Sequence, residues 1–186
     1  MMVRKEDPKK RLTALLKELH LPSIRESFEE AAQQAEKESL SYELYLLDLV
    51  ERESEDRHRR KIDRFRKVSK LPSDKTLESF DLKRLPLKLQ RQVRSLSDGT
   101  FVDRRENLLA FGKPGSGKSH LLWGIGHELV NQGRRVYATT CSLLVQELLI
   151  AKKDLRLARA LKRLSKFDAI IIDDIGYVQQ DLHASR

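Results

Sequence analysis

The chain has 186 residues and a formal net charge of +9 at pH 7, with 39% hydrophobic and 35% charged residues. This composition can bury a core beneath a highly charged surface. The single cysteine, Cys141, excludes an intrachain disulfide and a cysteine-based zinc site. No apolar run approaches the ~20 residues of a membrane span, so we expect a cytoplasmic protein without a membrane partner. The basic excess favours an acidic partner, nucleic acid before an anionic membrane, and the alternative is a soluble protein with a solvated basic surface.

The first third of the chain has the spacing of amphipathic helices. Leucines from Leu12 to Leu19 repeat every three or four residues, and Pro22 ends this helix or starts the next. Ser41 is a suitable N-cap for a third helix. We therefore predict a helical N-terminal module over residues 1–72, followed by a linker region over residues 73–106.

From residue 107 onward, apolar strand signatures alternate with helical patterns. The predicted elements are a strand at 108–111, a helix at 118–132, a strand at 136–139, a helix from the cap Ser142 to about Ile150, a basic helix around 155–165 and a strand at 169–173. The last strand is apolar throughout, as a strand buried on both faces should be. This alternation predicts an α/β domain with a parallel sheet over residues 107–186.

A glycine-rich segment links the first predicted strand to the helix that follows. Residues 112–119 fit the phosphate-loop pattern G-x-x-x-x-G-K-[ST], in which backbone N–H groups surround phosphate oxygens. Lys118 would contact the β and γ phosphates, and the Ser119 hydroxyl would bind Mg²⁺. An ordinary glycine turn explains this match less well, so we predict ATP and Mg²⁺ as cofactors. The predicted nucleotide-binding residues are Gly112, Pro114, Gly115, Ser116, Gly117, Lys118, Ser119 and His120.

The last predicted strand ends in two aspartates, which is the form of a Walker B motif. Asp173 would hold Mg²⁺ through water, and Asp174 would polarise the attacking water. Neighbouring strand residues face opposite ways, which favours two separate roles over a proton-sharing pair. The candidate catalytic residues are therefore Asp174 and Lys118, and the candidate metal ligands are Ser119 and Asp173.

Basic residues concentrate in two clusters. The first spans Arg57–Lys70, with Asp63 as the only acid nearby, and the second spans Lys152–Lys166, with Asp154 as the only acid inside it. Either cluster alone is equally consistent with a solvated helix face. Together they predict sequence-independent contacts with the phosphates of duplex DNA. The candidate residues are Arg59, Arg60, Arg64, Lys152, Lys153, Arg156, Arg159 and Arg163.

An ordered set of phrases along the chain resembles one protein family. These are LLKELHLPSIRESFEE, LSYELYLLDLVERE, TLESFDL, ENLLAFGKPGSGKSHL, RVYATTCSLLVQELL and IIIDDIGYV. The chain resembles the IstB-like helper ATPases of insertion-sequence transposition, a branch of the AAA+ group close to the DnaC helicase loaders. The resemblance implies an AAA+ type P-loop fold and ATP hydrolysis. It also implies a homo-oligomer on duplex DNA that assists a transposase in selecting target DNA, with the N-terminal module in assembly and partner contacts.

The chain departs from the family's pattern in two ways, and two alternatives to the transposition role stay open. Asp174 stands where many AAA+ proteins carry Glu, and no sensor residue or arginine finger follows Val178. We therefore expect an incomplete sheet, truncated after the Walker B motif, in which the strand at 108–111 lacks both neighbours. Such a chain would be inactive as an ATPase by itself. The alternatives are a replicative helicase loader, and a non-hydrolysing remnant that only binds DNA or a partner.

Overall fold

The computed structural model describes residues 7–175 of the chain. Its elements are α1 Pro8–Glu18, α2 Pro22–Lys37, α3 Tyr42–Ser69, a 3-10 helix Leu82–Arg84, α4 Leu87–Ser97, α5 Thr100–Asp103, α6 Lys118–Asn131, β1 Val136–Thr140, α7 Cys141–Lys153, α8 Leu157–Leu164 and β2 Ala169–Asp173. The predicted α/β class is confirmed, with a two-stranded parallel sheet in the described residues. The end of the predicted third domain, 176–186, lies outside them. None of the helices within 7–175 has the length and apolarity that crossing a membrane requires.

The chain forms two compact units, Met1–Lys61 and Ile62–Arg186. In the first unit, Leu16, Ala31 and Leu49 are buried, one from each of the three predicted helices. The predicted cap of the third helix is confirmed, because the Leu44 N–H donates to Ser41 Oγ at 3.3 Å. Helical spacing of apolar residues therefore identified the core-forming elements of this unit correctly.

A buried carboxylate holds the start of α2 in the first unit. Glu53 is only 4% exposed, and it accepts hydrogen bonds from the Ser23 N–H at 2.8 Å and the Ile24 N–H at 3.3 Å. Arg57 Nε donates to the same carboxylate at 2.9 Å. Burial raises the pKa of Glu53, but the hydrogen bonds from Arg57, Ile24 and Ser23 outweigh burial and hold the pKa below its ordinary value. Glu53 therefore caps a helix in which no adjacent side chain does so.

The core of the second unit forms around α6 and β1. Ile125, Leu129 and Val130 of α6 and Val136 of β1 are at most 3% exposed. The segment 73–106, predicted as a linker, contains the 3-10 helix, α4 and α5. Its apolar side chains that pack against this core are Leu77, Leu96, Phe101 and Val102. Much of the segment is thus part of the unit that carries the phosphate loop.

The two strands within residues 7–175 lie parallel and in register. Val136 pairs with Ala169 at one end of the ladder, and Thr140 pairs with Asp173 at the other. Both strands confirm the predictions from apolar, β-branched runs. The predicted cap Ser142 is wrong, because α7 begins earlier and Thr140 Oγ1 accepts the Leu143 N–H at 3.3 Å. The carboxyl end of β1 therefore leads directly into α7.

The predicted strand at 108–111 is wrong in this structure. The segment has no strand hydrogen bonding, and Leu109 and Phe111 are 67% and 87% exposed. An extended segment becomes a strand only when a neighbour pairs with its N–H and C=O groups. In the described residues β1 and β2 pair only with each other, so an apolar run was insufficient evidence for a strand here.

Candidate nucleotide-binding site

The predicted phosphate loop forms a tight turn that runs into α6. Gly115 and Gly117 have φ angles of +74° and +86°, which side chains other than glycine rarely adopt. The Ser116 N–H donates to the Lys113 carbonyl at 3.2 Å, and α6 begins at Lys118. The glycine turn thus leads directly into a helix start, whose first N–H groups have no partner within the helix, and this is an anion-binding arrangement.

Lys118 lies folded back over this turn. Its Nζ donates to the carbonyl oxygen of Lys113 at 2.9 Å, within the loop itself. The side chain is half-buried and forms no ion pair with any described residue. An anion in the loop would therefore compete only with a neutral carbonyl for the ammonium group, and an anion is the stronger partner.

The structure brings the loop and the end of β2 together. Ser119 Oγ donates to Asp173 Oδ1 at 2.9 Å, although the two residues are far apart in sequence. A hydroxyl and a carboxylate are oxygen ligands of the kind that Mg²⁺ prefers. No group of three or more His, Cys, Asp or Glu side chains within residues 7–175 could hold a metal without other ligands. The pair therefore fits a Mg²⁺ ion whose remaining ligands are phosphate and water.

Asp174 does not join this contact. It follows β2 with a φ of +56° and is exposed, and its carboxylate accepts no hydrogen bond from the described residues. Aspartate tolerates this left-handed conformation better than most residues. Its predicted role toward an attacking water stays a prediction.

A segment before the loop contacts it, and this contact was not predicted. Phe80 packs against Gly117, where an added Cβ would lie 2.7 Å from the Phe80 ring. His120 of α6 meets Phe80 edge-on, with ring centroids 5.1 Å apart, and its Nε2 lies 3.0 Å from Ser79 Oγ and from the Thr76 carbonyl. Thr76, Ser79 and Phe80 belong to the phrase TLESFDL, but that phrase alone does not indicate what these residues contact.

This contact borders a cavity of about 450 Å³ beside the phosphate loop. Its lining includes Phe80, Asp81, Arg84, His120 and the backbone of 115–117. The predicted nucleotide-binding residue His120 lines this cavity together with residues 115–117 of the loop, and its role toward the nucleotide stays a prediction.

Residues 14–186 match the family model described as IstB-like ATP binding protein. The chain belongs to this family. A relative from Sinorhizobium fredii, named as an insertion-sequence ATP-binding protein, is 38% identical over 172 residues. These residues are 92% of this chain and 58% of the relative. The relative named for insertion sequence IS5376 of Geobacillus stearothermophilus is 36% identical over 93% of the chain and 69% of its own length. The relative named for insertion sequence IS21 of Pseudomonas aeruginosa is 36% identical over 90% of the chain and 63% of its own length.

The chain is thus an IstB-like ATP-binding protein of insertion sequences. The chain spans 58–69% of the length of these three relatives. The predicted roles of Lys118 and Ser119 toward the triphosphate and its metal ion stay predictions. Gly115 leaves open space at its Cα, with no atom within 4 Å of an added Cβ, so the backbone there can approach a phosphate closely.

The first basic cluster of this IstB-like chain is largely engaged in internal contacts. Arg57 donates to the His20 carbonyl at 2.6 Å as well as to Glu53, and Arg60 Nη2 donates to Ser23 Oγ at 2.6 Å. Asp56 lies within 3.8 Å of the guanidinium groups of Arg59 and Arg60. The expectation that Asp63 is the only acid nearby is therefore wrong, because acids one helical turn away pair with these arginines. DNA contacts by Arg59, Arg60 and Arg64 stay a prediction.

The second basic cluster is more open. Arg163 pairs with Glu147 across α7 and α8. The remaining candidates are exposed and form no ion pair with any of residues 7–175: Lys152, Lys153, Arg156 and Arg159. Uncompensated, solvent-facing charges of one sign are what a phosphate backbone requires of a binding surface.

Proposed function

We propose that this chain is a Mg²⁺-dependent ATPase module that binds duplex DNA and assists a transposase during insertion-sequence transposition. The hydrogen bond between Ser119 Oγ and Asp173 Oδ1 carries the catalytic part of the proposal, because it joins a phosphate loop to a strand-end carboxylate. Relatives named as insertion-sequence ATP-binding proteins support the transposition context. Selection of target DNA and self-assembly on it belong to the same proposal.

The chemistry follows from the positions of four side chains. Lys118 would exchange the Lys113 carbonyl for the β and γ phosphate oxygens and offset their charge. Ser119 and Asp173 would hold Mg²⁺, which when bound neutralises charge on the phosphates. Asp174 would orient a water molecule toward the γ phosphate. Because phosphoryl transfer depends mainly on positioning and electrostatics, these four groups would supply its metal, phosphate and water contacts, but they do not include an arginine finger.

The nucleotide part is tested with a fluorescent ATP analogue and a matched pair of lysine variants. Lys118→Ala should abolish Mg²⁺-dependent binding, whereas Lys113→Ala should retain it, because only the backbone carbonyl of Lys113 takes part in the loop contacts. Equal binding by the wild-type chain and Lys118→Ala would refute the loop assignment. Phosphate release with duplex DNA present then tests hydrolysis separately. ATP binding without phosphate release would leave a nucleotide-binding DNA module and remove the ATPase.

The DNA part is tested by two charge-reversal variants that change the net charge equally. Replacing Lys152, Lys153 and Arg156 by Glu should abolish binding to a short duplex of arbitrary sequence. Reversal of the exposed α4 residues Lys88, Arg91 and Arg94 should weaken it far less, although both variants change the net charge equally. If about five phosphates are contacted, affinity should fall by about 10²–10³ between roughly 50 and 200 mM salt. Equal losses in the two triple variants would show that overall charge, not this cluster, binds DNA.

A further inference from the structure

The turn between α7 and α8 presents a leucine at its tip. Leu155 is 96% exposed, the highest value among the exposed large apolar side chains of residues 7–175. Its backbone has a φ of +57°, and hydrogen bonds from Leu155 N to Lys152 O and from Arg156 N to Ala151 O close the end of α7 around it. Helices that end in this way usually place glycine or asparagine at that position.

Leucine is an unfavourable residue here for two separate reasons. A left-handed backbone brings its Cβ close to the following carbonyl, and full exposure gives its apolar side chain no compensating burial. The other non-glycine residues with positive φ in the described part are His20, Ser39, Lys70, Arg105 and Asp174, all of them polar. Nothing in the folding of this turn explains leucine, so a contact made in a complex is the better explanation.

The surroundings of Leu155 indicate the chemistry of that complex. Lys152, Lys153 and Arg156 flank it and are exposed, without an ion pair in the described residues, and Asp154 is the one acid of the turn. A single apolar tip between cations matches a duplex groove, where phosphates line both edges and apolar base and sugar surfaces lie between them. An anionic membrane is a poorer match, because stable insertion requires an apolar helix face rather than one side chain.

We propose that Leu155 enters a groove of duplex DNA and wedges against a base-pair step while the flanking cations contact the phosphates on either side. This inference rests on the proposed DNA binding and deepens it. Leucine side chains used in this way partly unstack a step and kink the duplex. The turn would therefore bind best where the step is already easy to unstack, as at a mismatch or a pyrimidine–purine step.

Variants at the tip separate this role from folding. Leu155→Asn and Leu155→Gly suit the left-handed backbone, so thermal unfolding should occur at the wild-type temperature or above it. Affinity for a short duplex should fall about five- to tenfold in both variants, with an unchanged salt dependence, because the phosphate contacts remain. The matched control is Leu87→Asn, the same change at a 71% exposed leucine of α4 beside Lys88 and Arg91, and it should bind DNA normally.

A duplex carrying 2-aminopurine reports the wedge directly. The wild-type chain should increase its fluorescence by unstacking the base, and Leu155→Asn should not. If the wild-type chain binds DNA and Leu155→Asn shows the same affinity and the same fluorescence increase, the wedge is overturned and the proposed DNA function stays intact. Absence of any wild-type DNA binding would overturn both. Loss of binding to phosphatidylserine vesicles in Leu155→Asn, with DNA binding unchanged, would assign the tip to membranes and also overturn the wedge.

Discussion

The contact between Phe80 and the phosphate loop makes Gly117 sensitive to a single added methyl group. In Gly117→Ala, the new Cβ would lie 2.7 Å from Cε2 and 3.2 Å from Cζ of Phe80, and alanine would have to adopt a φ of +86°. The left-handed backbone alone costs about 1–2 kcal/mol. If the unbound Gly117→Ala loop avoids this cost by adopting another conformation, ATP binding must restore the observed one. ATP affinity then falls by about 5- to 30-fold, since 1.4 kcal/mol corresponds to a factor of 10.

Titration with a fluorescent ATP analogue measures this loss, and a double-mutant cycle apportions it. Phe80→Ala removes the steric clash but not the backbone strain, so Gly117→Ala should cost less affinity in that background than in the wild type. Equal costs in both backgrounds would show that Phe80 moves aside freely. Wild-type affinity in Gly117→Ala itself would refute the argument that the observed loop is the binding conformation.

Two further predictions concern carboxylates. Asp173→Asn should weaken ATP binding in the presence of Mg²⁺ but not in its absence, because Asn removes the charge beside Ser119 and keeps the shape of the side chain. Titrations of ATP with and without Mg²⁺ check this prediction, and an unchanged Mg²⁺ dependence would contradict it. Glu53→Ala should destabilise the first unit by about 3 kcal/mol at neutral pH, since it leaves the Ser23 and Ile24 N–H groups without their acceptor, whereas the exposed control Glu55→Ala should have little effect. The pKa of Glu53 is lowered on folding, so its stabilisation is complete above about its ordinary value of 4.5 and is lost as pH falls below that value. Denaturant unfolding at a series of pH values measures the difference between Glu53→Ala and wild type, and a difference as large in strong acid as at neutral pH would refute the assignment.

The nucleotide site was predictable because its determinants are local. The glycine pattern of 112–119 specifies backbone conformations, and an apolar strand ending in Asp173 specifies a carboxylate at a sheet edge. Their meeting at Ser119 follows from the parallel sheet. The contact of Phe80 with Gly117 was not predictable, because it joins residues whose spacing has no periodic relation.

Three other expectations failed because pairing was inferred from one segment at a time. The run at 108–111 is apolar, but strand formation depends on neighbours that do not pair with it here. The cluster Arg57–Lys70 was expected to have Asp63 as its only nearby acid, but Glu53 pairs with Arg57, and Asp56 lies beside Arg59 and Arg60. The predicted linker 73–106 lacks a strong apolar period but contributes side chains to the core of the second unit.

The described elements connect the nucleotide site to the turn between α7 and α8 by a short route. Asp173, a proposed Mg²⁺ ligand, pairs in the sheet with Thr140, and Thr140 caps α7. The carboxyl end of α7 carries Lys152 and Lys153 and leads to Leu155. Mg²⁺ bound by Ser119 and Asp173 would replace their direct hydrogen bond, and β2 and α7 connect this pair to the turn.

We therefore expect ATP and duplex DNA to bind with coupled affinities. Thermodynamic linkage requires the factor by which Mg²⁺-ATP changes DNA affinity to equal the factor by which DNA changes ATP affinity, typically about 5- to 150-fold for a coupled pair. Thr140→Val keeps the strand but removes the hydroxyl that caps α7, so it should reduce this factor while leaving ATP affinity in the absence of DNA close to wild type. Titrations of each ligand at fixed concentrations of the other measure both factors. Coupling that is unchanged in Thr140→Val would exclude the α7 cap as the connection, and affinities that are independent of each other would exclude the coupling itself.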